Sequence, residues 1–240
     1  GGNRMKMKKC GLGTTAIHGG AVKNPYGSLA VPVFQTSTFI FDSAEQGGKR
    51  FALEEDGYIY SRLGNPTTSI LEARVAALEE GEAAVAMSSG MGAISSTLWT
   101  VLKAGDHVIT DTTLYGCTFA LMNHGLTKFG VEVSFVDTSD LEAVKKAMKA
   151  NTRVVYLETP ANPNLKIVDL EAIATLAHTN PNTLVIVANT FATPFLQKPL
   201  SLGVDIVVHS ATKYINGHGD VVAGLAVTNQ ELANQIRLIG

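Results

Sequence analysis

The chain has 240 residues, 45% of them apolar and 17% charged, enough to bury a sizeable core without a disulfide or metal staple. Its formal net charge of -2 comes from acids and bases interspersed along the chain, which leaves no basic stripe for nucleic acid and no polybasic anchor for a membrane. Two cysteines, Cys10 and Cys117, are too few for a disulfide framework or a structural zinc site, and no apolar run reaches membrane-span length; a cytoplasmic protein acting on small polar molecules is expected.

Gly1 to Arg4 precede the first methionine, Met5, and are set aside from fold reasoning. The basic start from Arg4 to Lys9 runs into Gly11-Leu12-Gly13 rather than into a signal-peptide core. Residues 1–65 show no regular alternation and hold a Gly/Pro/Thr-rich stretch around Val31 to Thr38, so they read as an extended arm. Asn65-Pro66 caps and opens the first clear helix, whose apolar positions Ile70, Leu71, Val75 and Leu78 recur at helical spacing.

Beyond that helix, strands are expected at Ala83 to Met87, His107 to Thr110, Glu132 to Val136, Val154 to Leu157, Leu184 to Val187, Ile206 to Val208 and Val222 to Ala226, with helical segments filling most gaps. Runs such as Val154-Val155-Tyr156-Leu157 are apolar on both faces. Residues 66–240 therefore read as one α/β domain with a mostly parallel central sheet and helices on both faces. In such sheets ligands bind beyond the carboxyl ends of the strands, which is where chemistry is sought.

The first informative strand end is Ser88-Ser89-Gly90-Met91-Gly92, where small residues allow a tight turn into a helix beginning near Ala93. Free N–H groups at such a helix start suit a phosphate. Gly-rich turns are common, and Gly90-x-Gly92 with Asp111 further on also matches the opening of a dinucleotide fingerprint, although Ser95 stands where its third glycine belongs. The second strand end, Ile206 to Tyr214, delivers Ser210, Thr212 and Lys213 to the same edge. A lysine that forms a Schiff base needs a site able to lower its pKa, and the two hydroxyls could bind a phosphate on the same cofactor. One phosphate held from two strand ends explains both motifs, whereas the dinucleotide reading explains only the first.

Ser-x-Thr-Lys at 210–213, Ser-Ser-Gly-Met at 88–91, Tyr-x-Arg at 60–62, Glu158 to Pro163 and Tyr214 to Asp220 together resemble the Cys/Met-metabolism family of pyridoxal-5′-phosphate (PLP) enzymes, from about residue 12 to the chain end. The resemblance implies the large domain of a type I PLP-dependent transferase. It also implies that Lys213 forms the Schiff base with PLP, that Gly90, Met91, Ser210 and Thr212 hold the phosphate, and that Ser89 is among the cofactor-binding residues. Tyr60 and Arg62, in the arm, would reach the phosphate of a neighbouring subunit, so a homo-oligomer of at least two and commonly four chains is implied. Tyr115 would stack on the pyridine ring and pass a proton to the leaving thiol, with Glu158 and Asn162 close to the cofactor.

Tyr-Gly-Cys-Thr at 115–118 resembles the methionine γ-lyase branch, where cystathionine-cleaving members look like Tyr-Gly-Gly-Thr; a catalytic part for Cys117 follows from that likeness. The implied reaction is α,γ-elimination of a sulfur amino acid, L-methionine, to methanethiol, 2-oxobutanoate and ammonia. Cystathionine γ- or β-lyase, cystathionine γ-synthase and homoserine-ester sulfhydrylase share the cofactor residues and stay open, as does a catalytically silent PLP-binding subunit.

Two departures from the family pattern stand out. Ala188-Asn189-Thr190 occupies the place of Asp-Asn-Thr, so a methyl group replaces the acid expected to pair with the pyridine nitrogen, and impaired turnover is expected. The chain also ends at Gly240, before the C-terminal domain that the resemblance implies. The six histidines are scattered without metal-ligand spacing or a paired acid, and no metal is expected.

Overall fold

A computed structural model describes residues 10–21, 24 and 26–240; the reading of Arg4 to Lys9 lies outside the described residues. The chain divides into two compact units, Gly1–Leu78 and Glu79–Gly240.

The first unit contains helices α1 (Leu12–His18) and α2 (Ala44–Phe51) and nearly all of α3 (Pro66–Glu79). Ser43 caps α2 by accepting the Gln46 N–H, and the Gln46 side chain returns to the Asp42 N–H at 2.8 Å, a reciprocal arrangement that satisfies two otherwise orphan donors. Asn65 caps α3 as expected, its Oδ1 accepting the Thr67 N–H at 2.9 Å. The Gly/Pro/Thr-rich stretch is fastened to the start of this helix. Thr67 Oγ1 donates to the Pro32 carbonyl and accepts from the Phe34 N–H, while Asn65 Nδ2 donates to the Phe34 carbonyl. Residues 1–65, expected as an extended arm, thus include two helices, and their compact unit continues to Leu78 because α3 supplies the polar groups to which they bind.

The second unit is a seven-stranded sheet in the order β1-β7-β6-β5-β4-β2-β3. Its strands are β1 (Ala83–Met87), β2 (His107–Asp111), β3 (Glu132–Val136), β4 (Thr152–Glu158), β5 (Leu184–Ala188), β6 (Ile206–Ser210) and β7 (Gly224–Thr228). All pairings from β3 to β6 are parallel, while β7 runs antiparallel between β6 and β1. All seven expected strands form; the last starts two residues later than the sequence pattern suggests, with Val221 and Val222 exposed before it.

Side chains alternate across this sheet with period two. Val154, Tyr156, Ile186, Ile206 and Val208 join one core with Ile94, Leu98 and Val101 of α4 (Gly90–Val101) and Ile236 of α9 (Gln230–Ile239). The intervening Val155, Leu157, Val185, Val187 and Val207 are just as buried on the other face, which α6 (Leu141–Ala147) and α7 (Leu170–Ala177) cover. Each such side chain contributes about 1.5–3 kcal/mol by leaving water. The sheet is therefore held from both sides, and its carboxyl edge is a rigid platform. Short helices α5 (Gly116–Ala120) and α8 (Thr193–Leu196) lie beyond that edge in the chain, after β2 and β5.

Candidate active site

Ser89 caps α4 by accepting the Gly92 N–H at 2.9 Å, which leaves its own hydroxyl proton free to donate. The twelve-residue helix that follows brings a partial positive charge to this corner. At Gly90 a Cβ would lie 2.7 Å from Ser210 Cβ and 2.9 Å from Ser210 Cα, so a side chain there would displace the end of β6. A Cβ at Gly224 would sit 1.9 Å from the Ser89 carbonyl oxygen, so a side chain there would displace the turn into α4. Gly224 also pairs with both Met87 and Ser210 in the sheet. The two motifs therefore converge across β7, and the N-terminus of α4 with the Ser89 and Ser210 hydroxyls has the chemistry that fits a phosphate.

Lys213 lies in the turn immediately after β6 and is exposed. Its N–H donates to the Ser210 carbonyl at 3.2 Å and its own carbonyl accepts from Gly217 at 2.8 Å, so the turn is fixed at both ends. The Thr212 hydroxyl is engaged with the Ala223 backbone, donating to its carbonyl at 3.3 Å and accepting from its N–H at 3.1 Å. Ser210 is positioned by Thr190, whose Oγ1 accepts the Ser210 N–H at 2.9 Å. Sequence reading passed over Thr190 and Gly224, because close backbone approach leaves no residue-type signal.

Glu158 closes β4 and is buried. Both of its oxygens accept from the Tyr115 N–H at 3.2 Å. Burial pushes its carboxyl up to about 7, against the opposing pull of the Tyr115 and Asn162 N–H bonds, with the nearby Asp111 charge adding to the rise. Glu158 thereby ties the start of α5 to the loop that holds Asn162. Tyr115 itself projects outward, 46% exposed, and its hydroxyl shares a hydrogen bond with the Cys117 sulfur at 3.5 Å. That thiol, followed by burial and the Glu158 charge, raises the Tyr115 phenol above its ordinary value, so it carries its proton at neutral pH. Met91, at the start of α4, accepts from the Thr118 hydroxyl at 3.7 Å, joining α4 to α5. Ala188 ends β5 as the register partner of Glu158 and Val208.

Tyr60 and Arg62 belong to the first unit. The Arg62 guanidinium lies 5.2 Å from the Tyr60 ring centroid, and Tyr60 bridges to Thr38.

Asp111 cannot serve as the ribose-binding acid of the dinucleotide reading. It is fully buried, and its carboxylate is taken up by Lys166 Nζ at 2.8 Å to each oxygen, the Thr113 N–H, and the Thr138 N–H and hydroxyl. The histidines also need correction: His209 does have a paired acid, Glu79, and His178 pairs with Asp205. Sequence spacing hid both pairs, since 130 residues separate Glu79 from His209. Among the described residues no cluster of histidine, cysteine and acidic side chains could hold a metal ion, and no helix is long and apolar enough to cross a membrane.

The family model for Cys/Met metabolism PLP-dependent enzymes matches residues 13–239. The chain belongs to that family. Among other members, it is 82% identical over 236 residues to the L-methionine gamma-lyase of Fusobacterium nucleatum subsp. nucleatum, covering 98% of this chain and 60% of that protein. It is 59% identical to the L-methionine gamma-lyase of Treponema denticola, covering 99% and 60%. A crystal structure of cystathionine gamma-lyase from Lactobacillus plantarum complexed with L-serine superposes with a TM-score of 0.88 at 44% identity, covering 96% of this chain and 58% of that one. The chain spans about 60% of the length of the curated relatives it matches. As in the rest of the Cys/Met-metabolism family, the cofactor is PLP.

Proposed function

We propose that the protein is a carbon–sulfur lyase that converts L-methionine to methanethiol, 2-oxobutanoate and ammonia, working as a homo-oligomer in a reducing cytoplasm. The observation that carries this reading is the Cys117 thiol set 3.5 Å from the Tyr115 hydroxyl, in a chain most of whose length is shared with proteins named L-methionine gamma-lyase.

In this reading Ser89, Gly90, Met91, Ser210 and Thr212 bind the PLP phosphate, Thr212 by turning its hydroxyl from Ala223. Bound PLP supplies an electron sink for charge developing at the substrate α-carbon. Lys213 would hold the cofactor through its side-chain amine, and that amine, when free, would take up and relay protons. Tyr115, protonated at neutral pH, delivers a proton to the departing sulfur. Glu158 and Asn162 keep the ring side of the site in place, and Tyr60 and Arg62 complete a neighbouring subunit's phosphate site. Ala188 leaves the pyridine nitrogen without an acid, so turnover is slow.

The test is incubation of the purified protein with PLP, borohydride reduction and mapping of the modified residue, alongside measurement of methanethiol from L-methionine. An adduct on Lys213 with slow thiol release is expected. An adduct elsewhere, or none, overturns the site; thiol release from cystathionine alone overturns the substrate.

A further inference from the structure

The strand residues of the proposed site, Glu158, Ala188 and Ser210, face one side of the sheet. Glu158, Ala188 and Ser210 share the parity of Tyr156, Ile186 and Val208, which pack against α4. Directly beneath them, on the opposite face, lies a polar network that none of this chemistry uses. Glu79 and His209 are both fully buried, with Glu79 Oε1 2.5 Å from His209 Nε2. The same oxygen accepts from Asn189 Nδ2 at 3.0 Å. Asn189 Nδ2 also donates to the Gln197 carbonyl at 2.9 Å, and Gln197 Nε2 donates to Asn189 Oδ1 at 3.0 Å and to the Thr159 carbonyl at 2.9 Å.

Stability alone is a poor reason for such an arrangement. Glu79 is the last residue of α3, where the helix dipole disfavours an acid, and a buried acid–histidine pair is costly beside apolar residues of similar size. Among the described residues Glu79 Oε2 and His209 Nδ1 have no hydrogen-bond partner, so the His209 side chain is held by this contact and Glu79 by it and by Asn189. What the network joins is informative. Thr159 directly follows Glu158, Asn189 directly follows Ala188, and His209 directly precedes Ser210. The network ties these three carboxyl ends to one another, one residue from the side chains facing the site.

We propose that Glu79 and His209, with Asn189 and Gln197, are positioning residues that fix the carboxyl ends of β4, β5 and β6 so that Ser210, Lys213 and Glu158 meet the cofactor in register. The inference rests on the PLP site proposed above and extends it to residues that never touch the cofactor.

The decisive variant replaces the pair by apolar residues, Glu79→Met with His209→Leu, which removes the polar tie without stranding a buried charge. Melting temperature, PLP affinity from the absorbance of the bound cofactor, and the fraction of Lys213 trapped by borohydride are measured for this variant, for His209→Gln, which keeps a donor toward Glu79, and for wild type. The apolar pair is expected to melt close to wild type yet bind PLP at least about tenfold more weakly, with His209→Gln restoring most of the affinity. An apolar pair that melts like wild type and binds PLP equally well overturns the proposal and leaves the site intact. A fall in melting temperature with unchanged affinity in the folded temperature range also overturns it, because the network would then be structural only. Failure of the wild type itself to take up PLP at Lys213 overturns the site, and this inference with it.

Discussion

Glu158 and Ala188 are register partners at the carboxyl ends of β4 and β5, side by side on the face of the sheet that packs against α4. One is a buried acid whose proton is held up to about 7, and the other is a methyl group. A carboxylate introduced at 188 would meet the cofactor's ring nitrogen in the proposed site and would also face Glu158. Ala188→Asp is therefore expected to raise methanethiol release from L-methionine by at least about tenfold, since a charge-assisted partner is worth several kcal/mol and each ~1.4 kcal/mol is a decade of rate. Steady-state kinetics of the PLP-loaded protein checks this; an unchanged rate would remove the role assigned to position 188.

Glu158 makes stability depend on pH with a definite sign. Its folded pKa of about 7 lies above the ordinary 4.5, so between those values the folded chain keeps a proton that the unfolded chain has lost. Stability is then highest below about pH 4.5, falls as pH rises through the window, and levels off above about pH 7, by roughly 3 kcal/mol from this group. Glu158→Gln is expected to flatten this part of the curve. Urea midpoints at about pH 5 and about pH 8 check it: equal pH differences in variant and wild type would deny Glu158 the raised value.

Much of this was readable in the chain itself. Seven strands could be placed because runs such as Val154 to Leu157 are apolar on both faces, and the edge carrying Ser210 to Lys213 follows from the rule for parallel sheets. Period and turn chemistry are local, and so they survive in sequence. The tie from Glu158 to the Tyr115 N–H joins residues 43 apart, and the Glu79 to His209 pair is farther apart still, so neither leaves a local pattern. Helix α2 was missed for a different reason. Gly47 and Gly48 sit inside α2, and glycine at a helix interior masks helical propensity by about 1 kcal/mol each.

Gly90 tests the convergence of the two motifs. A methyl group there would lie 2.7 Å from Ser210 Cβ and 2.9 Å from its Cα, with no flexible side-chain end to yield. Gly90→Ala is expected to force β6 and the start of α4 apart and weaken PLP binding at least about tenfold, with a loss of stability of roughly 1–3 kcal/mol from the overpacked contact. Absorbance titration with PLP, paired with thermal melting, separates the two effects. Affinity equal to wild type would mean that the phosphate is held elsewhere.

Cys117 tests which sulfur amino acid the site selects. Its thiol is the foremost cause of the raised Tyr115 pKa, through the hydrogen bond at 3.5 Å to the phenol. Cys117→Gly removes that bond, lowers the phenol toward its ordinary value, and frees volume beside the hydroxyl that is proposed to protonate the leaving sulfur. The small methylthio group then loses a packing partner while a bulkier leaving group gains room, and a pocket contact of this size is worth about 1–3 kcal/mol in discrimination. The ratio of kcat/KM for L-methionine to that for cystathionine is expected to fall by about tenfold or more in the PLP-loaded variant. A ratio that does not move would separate Cys117 from substrate choice and leave the Tyr115 hydroxyl, not its neighbour, as the group to vary next.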